Sequence, residues 1–351
     1  MIPDLDFTIN VYHSVRLTRR CESSSLRLMR FPSGAAPRRP ALTRIAAILL
    51  LAAAAQVCAG PGSGGRAVAQ DKGVLDPKPL PPLANPSSPA TPAKELFGRA
   101  RAPAPIEAEP VGFYSRGCLA GGQALPVNGP NWQVMRLSRN RNWGHPALVA
   151  FLERFAPVAA RASGWPGLLM GDMSQPRGGP MLTGHASHQI GLDADIWLTP
   201  MPERLLTRAE REEMSATDMV REDRLDIDPK VWTEGQFAII RAAAESPSVQ
   251  RIFVNAAIKR AMCRSGAGQG WMRKVRPMWG HNYHFHVRLF CPRGSESCKD
   301  QDPTPAGDGC DASLAWWFSD EVLHPRKSTK SWPPMTMSAL PGECRQVLKA
   351  E

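Results

Sequence analysis

Trp279-Gly280-His281-Asn282-Tyr283-His284-Phe285-His286-Val287-Arg288-Leu289-Phe290 places three of the chain's eight histidines within six residues. Read as a strand, the segment alternates: His284, His286 and Arg288 point one way, Phe285, Val287 and Leu289 the other. The apolar face is core and the polar face carries chemistry. Imidazoles two residues apart on a strand lie about 7 Å apart at Cα, so one can hold a metal while its neighbour reaches the metal's water. Such a pair needs further ligands from elsewhere in the chain.

The partner stretch is Gly184-His185-Ala186-Ser187-His188-Gln189-Ile190-Gly191-Leu192-Asp193-Ala194-Asp195-Ile196-Trp197-Leu198. His185 and His188 sit on a loop that leads into a second strand, where Asp193, Asp195 and Trp197 lie opposite Ala194, Ile196 and Leu198. Two imidazoles, one carboxylate and a position left to water are the ligand set of a catalytic zinc site; structural zinc sites are closed, usually by thiolates. A lone histidine on a mixed strand is usually a residue satisfied where it stands. Five of eight histidines in two short segments point instead to a metal.

Around these segments the composition is globular from about Gly112. Tyr114-Ser115-Arg116-Gly117-Cys118 reads as a short turn segment and Trp132-Gln133-Val134-Met135-Arg136 as a strand. His145-Pro146 opens a one-faced helix through Phe155. Leu168-Leu169-Met170-Gly171-Asp172-Met173 reads as a buried strand, followed by Pro176-Arg177-Gly178-Gly179, a strand connection or a mobile lid. Glu203 to Val220 is charged and helical in character, a solvated face. Residues 234–245 form a helix, and Arg251-Ile252-Phe253-Val254-Asn255 is a strand leading to a basic helix through Lys259 and Arg260. Strands and helices without strict alternation give an α+β fold, with a small, mainly antiparallel sheet and flanking helices. His145 reads as a helix-start residue and His324 as solvated. Trp197 and Trp279 flank the histidine segments, as core or as a shelf for substrate.

The front of the chain is not fold material. An apolar run from Leu42 to Ala55 behind Arg38, Arg39 and Arg44 has the shape of a secretory signal and is too short to span a membrane. Residues 1–69 are therefore a signal peptide with an extended lead in which Met29 offers a second start, and cleavage after Ala69 is preferred to cleavage after Ala59. The formal charge of +11 is inflated here, because nine arginines face only Asp4, Asp6 and Glu22. The basicity therefore gives no ground for a nucleic-acid partner, and a mildly basic mature protein suits an anionic envelope polymer. Crowded prolines across residues 70–110 read as an extended tether, leaving 111–346 as the folded domain. No membrane contact is expected once the signal is removed.

Cys118, Cys263, Cys291, Cys298, Cys310 and Cys344 remain in the exported chain. An even number there reads as disulfides holding down a loop-rich C-terminus, with about 15 possible pairings. None forms a CxxC pair, so thiolate zinc is not expected.

The two histidine segments, together with Arg251-Ile252-Phe253-Val254-Asn255, Lys274-Val275-Arg276-Pro277 and the Cys291-Pro292 that follows the second histidine strand, resemble the penicillin-insensitive murein endopeptidases. These are part of the zinc peptidase group that includes lysostaphin, the D-Ala-D-Ala metallopeptidases and the hedgehog signalling domain. The resemblance runs from about Phe113 to Cys344. It implies Zn2+ on His188, Asp195 and His286, with His284 handling protons and His281 and His185 lining the site, His185 being a further possible ligand. It also implies accessory metal positions at Asp223 and Asp226, the latter standing where a histidine can occur. The implied bridges are Cys118–Cys344, Cys263–Cys310 and Cys291–Cys298. The implied activity is periplasmic hydrolysis of the D-alanyl to meso-diaminopimelyl cross-link between peptidoglycan stem peptides. A zinc D,D-carboxypeptidase, which needs a cation such as Arg177 or Arg276 for the free carboxylate, and a non-catalytic zinc- or wall-binding protein are the alternatives.

Overall fold

The computed structural model describes residues 72–325 and 333–351. The signal-like segment of residues 1–69, with its cleavage and start sites, lies outside them. Strands β1 (Glu109–Phe113) and β2 (Arg116–Ala120) form an antiparallel hairpin. Arg116–Cys118, read from sequence as part of a turn, is thus strand, and only Tyr114 and Ser115 make the turn. Short strands β3 (Gln123–Ala124) and β6 (Trp143–Gly144) pair with each other.

The remaining strands are β4 (Asn128–Gly129), β5 (Trp132–Val134), β7 (Leu168–Met170), β8 (Asp193–Trp197), β9 (Val249–Val254), β10 (Val275–Pro277) and β11 (His284–Leu289). They form one sheet in the order β10-β9-β11-β8-β7-β5-β4. Neighbours are antiparallel except in β10–β9 and β5–β7, so the fold is α+β with a mixed, mainly antiparallel sheet.

Alternation does the rest. Phe285, Val287 and Leu289 of β11 lie with Ala194 and Ile196 of β8 and Ile252 and Val254 of β9 in one buried cluster. Burying side chains of this size stabilises by roughly 1.5–3 kcal/mol each. That face is closed by helices α2 (Pro146–Ser163) and α4 (Glu234–Glu245). His145 caps α2 by accepting from the Ala147 amide, Pro146 fills the first turn, and Gly164 ends the helix in the left-handed region at φ +73°. Thr233 and Gln236 form a capping box at the start of α4.

Three expectations change. Helical structure in Glu203–Val220 shrinks to α3 (Arg208–Glu213), and this is no solvated face: Arg211 and Glu212 are buried. Arg211 donates to the carbonyls of Leu206 and Val134 and to the side chains of Asn128 and Gln133, while Glu212 accepts from the amide and hydroxyl of Ser138. The extended tether does not reach residue 110. Helix α1 (Ala93–Phe97) buries Ala93 and Phe97 in a second cluster with Ala104, Val111, Ala120, Met337, Leu340 and Val347. Phe97 lies against Gly179, where φ is +75° and an added Cβ would stand 2.2 Å from the ring. Only glycine fits there.

The Pro176–Gly179 segment is a connection and not a lid. The Arg177 carbonyl accepts from the Leu119 amide, and the Gly179 amide donates to the Gln189 carbonyl. Gln175 donates to the carbonyls of Gly178, Gly179 and Pro180.

Helix α5 (Ala256–Gly266) and the C-terminal segments are linked covalently. Cys118 is bonded to Cys344, Cys263 to Cys310 and Cys291 to Cys298, with Cα–Cα distances of 5.7, 5.6 and 5.8 Å. A short helical segment, Cys344–Lys349, thereby docks on β2.

Candidate metal centre

The polar face of the sheet assembles the site by register. His286 pairs with Asp195 across β11 and β8, His284 with Trp197, and Arg288 with Asp193; on the other side of β11, His286 pairs with Phe253 of β9. His185 and His188 arrive on the loop before β8. Its path needs unusual backbone, with Gly184 at φ +87°, His188 at +67° and Gly191 at +71°. A histidine held at positive φ is strained, and such strain collects at functional sites. Hydrogen bonds fix this loop. The His188 amide donates to Asp193 Oδ2 at 3.0 Å, and Gln189 bonds to the carbonyls of Ser115 and Ala186 and to the Gly117 amide.

Asp195 is the hub. Its Oδ1 lies 3.5 Å from His188 Nε2 and 3.5 Å from His286 Nδ1, and its Oδ2 lies 3.5 Å from His185 Nδ1 and 3.5 Å from His284 Nε2. Donors bound tetrahedrally to one ion at about 2.1 Å stand about 3.4 Å apart. His185, His188 and Asp195 each offer an atom within 4.8 Å of the others. The His188 and His286 rings are 4.5 Å apart. His281, at φ +53°, stands 4.9 Å from the His284 ring.

Among the described residues, several of these atoms have no hydrogen-bond partner. His188 Nδ1 and Nε2, Asp195 Oδ1 and His284 Nδ1 are buried without a hydrogen-bond partner. Leaving a buried polar atom unpaired costs roughly 1–3 kcal/mol. A divalent cation removes that cost, and imidazole with carboxylate is a donor set that suits one.

Ionisation follows the same geometry. Burial pushes the His284 imidazole down to about 3 and the His286 imidazole to about 4, so both are neutral donors. Burial works against the Asp195 carboxylate, but His284, His188 and His185 outweigh it and hold the group ionised. His188 goes the other way, because Asp195 outweighs burial and raises it.

Two buried carboxylates orient the imidazoles. Asp193 lies 3.0 Å from His286 Nε2 and accepts from both Nε and Nη2 of Arg288, at 2.8 and 3.1 Å. Asp172 lies 3.0 Å from His185 Nε2 and accepts from Arg139 and Arg141. Sequence reading placed Asp193 only on a face and gave Asp172 no role. The one signal available for Asp193 was its position two residues before Asp195 on the same strand face.

Asp223 and Asp226 do not join the cluster. Asp226 is paired with both guanidinium nitrogens of Arg264 at 3.0 Å, and Asp223 with Arg221 and the Leu225 amide. With their oxygens so used, no group of metal donors among the described residues includes them. Arg177 donates to the carbonyls of Ala102, Val347 and Leu348, so it is not free to hold a substrate carboxylate. His145 is the cap of α2, His324 is an exposed partner of Asp320, and Trp197 is buried.

The family model described as penicillin-insensitive murein endopeptidase matches residues 110–349. A protein of that name from Haemophilus influenzae is 43% identical over 256 residues, covering 72% of this chain and 87% of that protein. Proteins of the same name from Klebsiella pneumoniae and Escherichia coli are 42% and 41% identical, covering 69% and 70% of this chain and 86% and 88% of theirs.

Proposed function

The chain belongs to the penicillin-insensitive murein endopeptidase family, and from that membership we propose that it is a zinc-dependent endopeptidase that hydrolyses D-alanyl to meso-diaminopimelyl cross-links in peptidoglycan. The observation that carries this reading is His188, fully buried with both ring nitrogens unpartnered and 3.5 Å from the carboxylate of Asp195.

His188, Asp195 and His286 would hold Zn2+, with His185 as a further donor. When bound, the ion would supply a Lewis acid for the scissile carbonyl and lower the pKa of its water towards about 7. The protein does the remainder. His284, beside Asp195 at 3.5 Å, takes a proton from the attacking water and returns it to the leaving amine. His281 donates from Nδ1 to the Trp279 carbonyl at 2.7 Å, which fixes its ring beside the site. His281 or His185 then faces the oxygen on which charge develops. No serine nucleophile takes part, so a penicillin has nothing to acylate. Three disulfides support action outside the reducing cytoplasm, in the periplasm. No helix of the described residues is long and apolar enough to cross a membrane.

The test is the purified mature protein, assayed for bound zinc and for cleavage of cross-linked muropeptide dimers with and without chelator. Dimer loss that stops on chelation and returns with zinc is the expected result. Release of D-alanine without dimer loss would make the chain a carboxypeptidase, and zinc without any cleavage a binding protein.

A further inference from the structure

Three indoles meet at the rim of the metal centre. Trp279 is 39% exposed and Trp316 48% exposed. The Trp279 ring lies 5.3 Å from Trp317 and 6.4 Å from Trp316, and the Trp316 and Trp317 rings meet edge to face at 5.3 Å. The group is built from two sides. Trp279 belongs to the turn before β11, which Asn255 pins through the Gly280 and His281 carbonyls. Trp316 and Trp317 belong to a single helical turn, Trp316–Phe318, which follows Cys310 and its bond to Cys263 of α5. Arg260, on the same helix, stacks 3.4 Å over Phe318, and Trp316 Nε1 donates to Glu321 at 2.5 Å.

We propose that this cluster is a subsite for an amino-sugar of the wall's glycan strand, a step that rests on the reading of the chain as a murein peptidase. A pyranose presents a flat set of C–H bonds on one face and polar groups around its edge. A flat indole with Glu321 on its Nε1 edge, and Arg260 on Phe318 of the same helical turn, complements that shape. Two half-exposed indoles offer on the order of 200 Å², far below the roughly 800 Å² per partner of a stable protein interface. Arg260 brings a cation to the rim, and the polymer carries carboxylates. The shelf is also continuous with the site, because the Trp279 carbonyl holds His281, two residues on. A strand lying across the indoles therefore delivers its stem peptide to the metal centre.

The holoenzyme, Trp316→Ala and Trp316→Phe would be compared in two assays. The first is calorimetric titration with soluble strands of alternating N-acetylglucosamine and N-acetylmuramic acid stripped of stem peptides, which offer no bond to cleave. The second is the ratio of kcat/KM on glycan-bearing cross-links to kcat/KM on sugar-free peptide dimers. Trp316→Ala should weaken glycan binding about five- to tenfold and lower the ratio by a similar factor, while Trp316→Phe keeps most of both. Binding within twofold of wild type in Trp316→Ala, a ratio that does not move, or equal losses in the Phe and Ala variants would overturn the assignment. A wild-type protein that binds bare glycan but cleaves no dimer would sink the peptidase reading and leave the subsite standing.

Discussion

Asp193 is fully buried, yet His286, Arg288 and the His188 amide all converge on it. A carboxylate behind a ligating imidazole fixes its orientation and basicity, and losing one typically costs 10–100-fold in metal affinity. Asp193→Asn should therefore weaken zinc binding by about that factor, measured by competition with a chromophoric chelator. It should also destabilise the fold by about 3–5 kcal/mol, because the buried Arg288 loses its ionic partner. His284→Gln makes the opposite prediction. Zinc content by atomic absorption should be unchanged while kcat on muropeptide dimers drops about 10²–10⁴-fold. At this scale the sequence showed which side chains share a face, since strand alternation alone places His284, His286 and Arg288 together. It could not show which carboxylate stands behind which imidazole, because Asp172 meets His185 only through a loop path set by Gly178, Gly179 and Gly184, all at positive φ.

Helix α5 shows what an element has to tolerate to keep the C-terminal segments docked. Lys259 is fully buried on it, and its ammonium donates to the carbonyls of Met272 and Asp308. Burial, aided by Arg276, pushes its pKa down to about 7. Below pH 7 both folded and unfolded chains carry the proton and the full cost of burying the charge is present. Between 7 and the ordinary lysine value of about 10.4 the folded chain releases its proton first, so stability rises with pH, by at most about 1.4 kcal/mol per unit. Denaturant titrations from pH 7 to 10 should show this slope in wild type and its absence in Lys259→Met. The sequence marked α5 as a basic helix but gave no reason to bury a lysine. That reason is the Cys263–Cys310 bond, which draws the Asp308 carbonyl over the helix. Charged runs misled in the same way at α3, where Arg211 faces inward onto the Val134 carbonyl at the end of β5 and Glu212 onto Ser138 in the turn that follows.

At the scale of the whole molecule, the largest apolar cluster of the described residues was legible and the smaller one around Phe97 was not. Its strands and helices repeat at periods of 2 and 3.6, whereas the smaller gathers single residues from the proline-rich segment, the first hairpin and the C-terminal helix. Phe97 is the side chain on which that smaller cluster meets the Gly178-Gly179 connection leading to His185 and His188. Phe97→Ala should cost about 3–5 kcal/mol in unfolding free energy by chemical denaturation. Because the connection runs into the histidine loop, zinc affinity should fall with it. The same cluster contains the Cys118–Cys344 bond, whose halves are 226 positions apart. On the proposed periplasmic route, a chain in transit carries Cys118 without its partner until residue 344 has followed it. On that route its oxidation is a timer that rings only after nearly all of the chain has left the compartment where it is made, and alkylating reagents applied to chains arrested in translocation should find Cys118 open to attack.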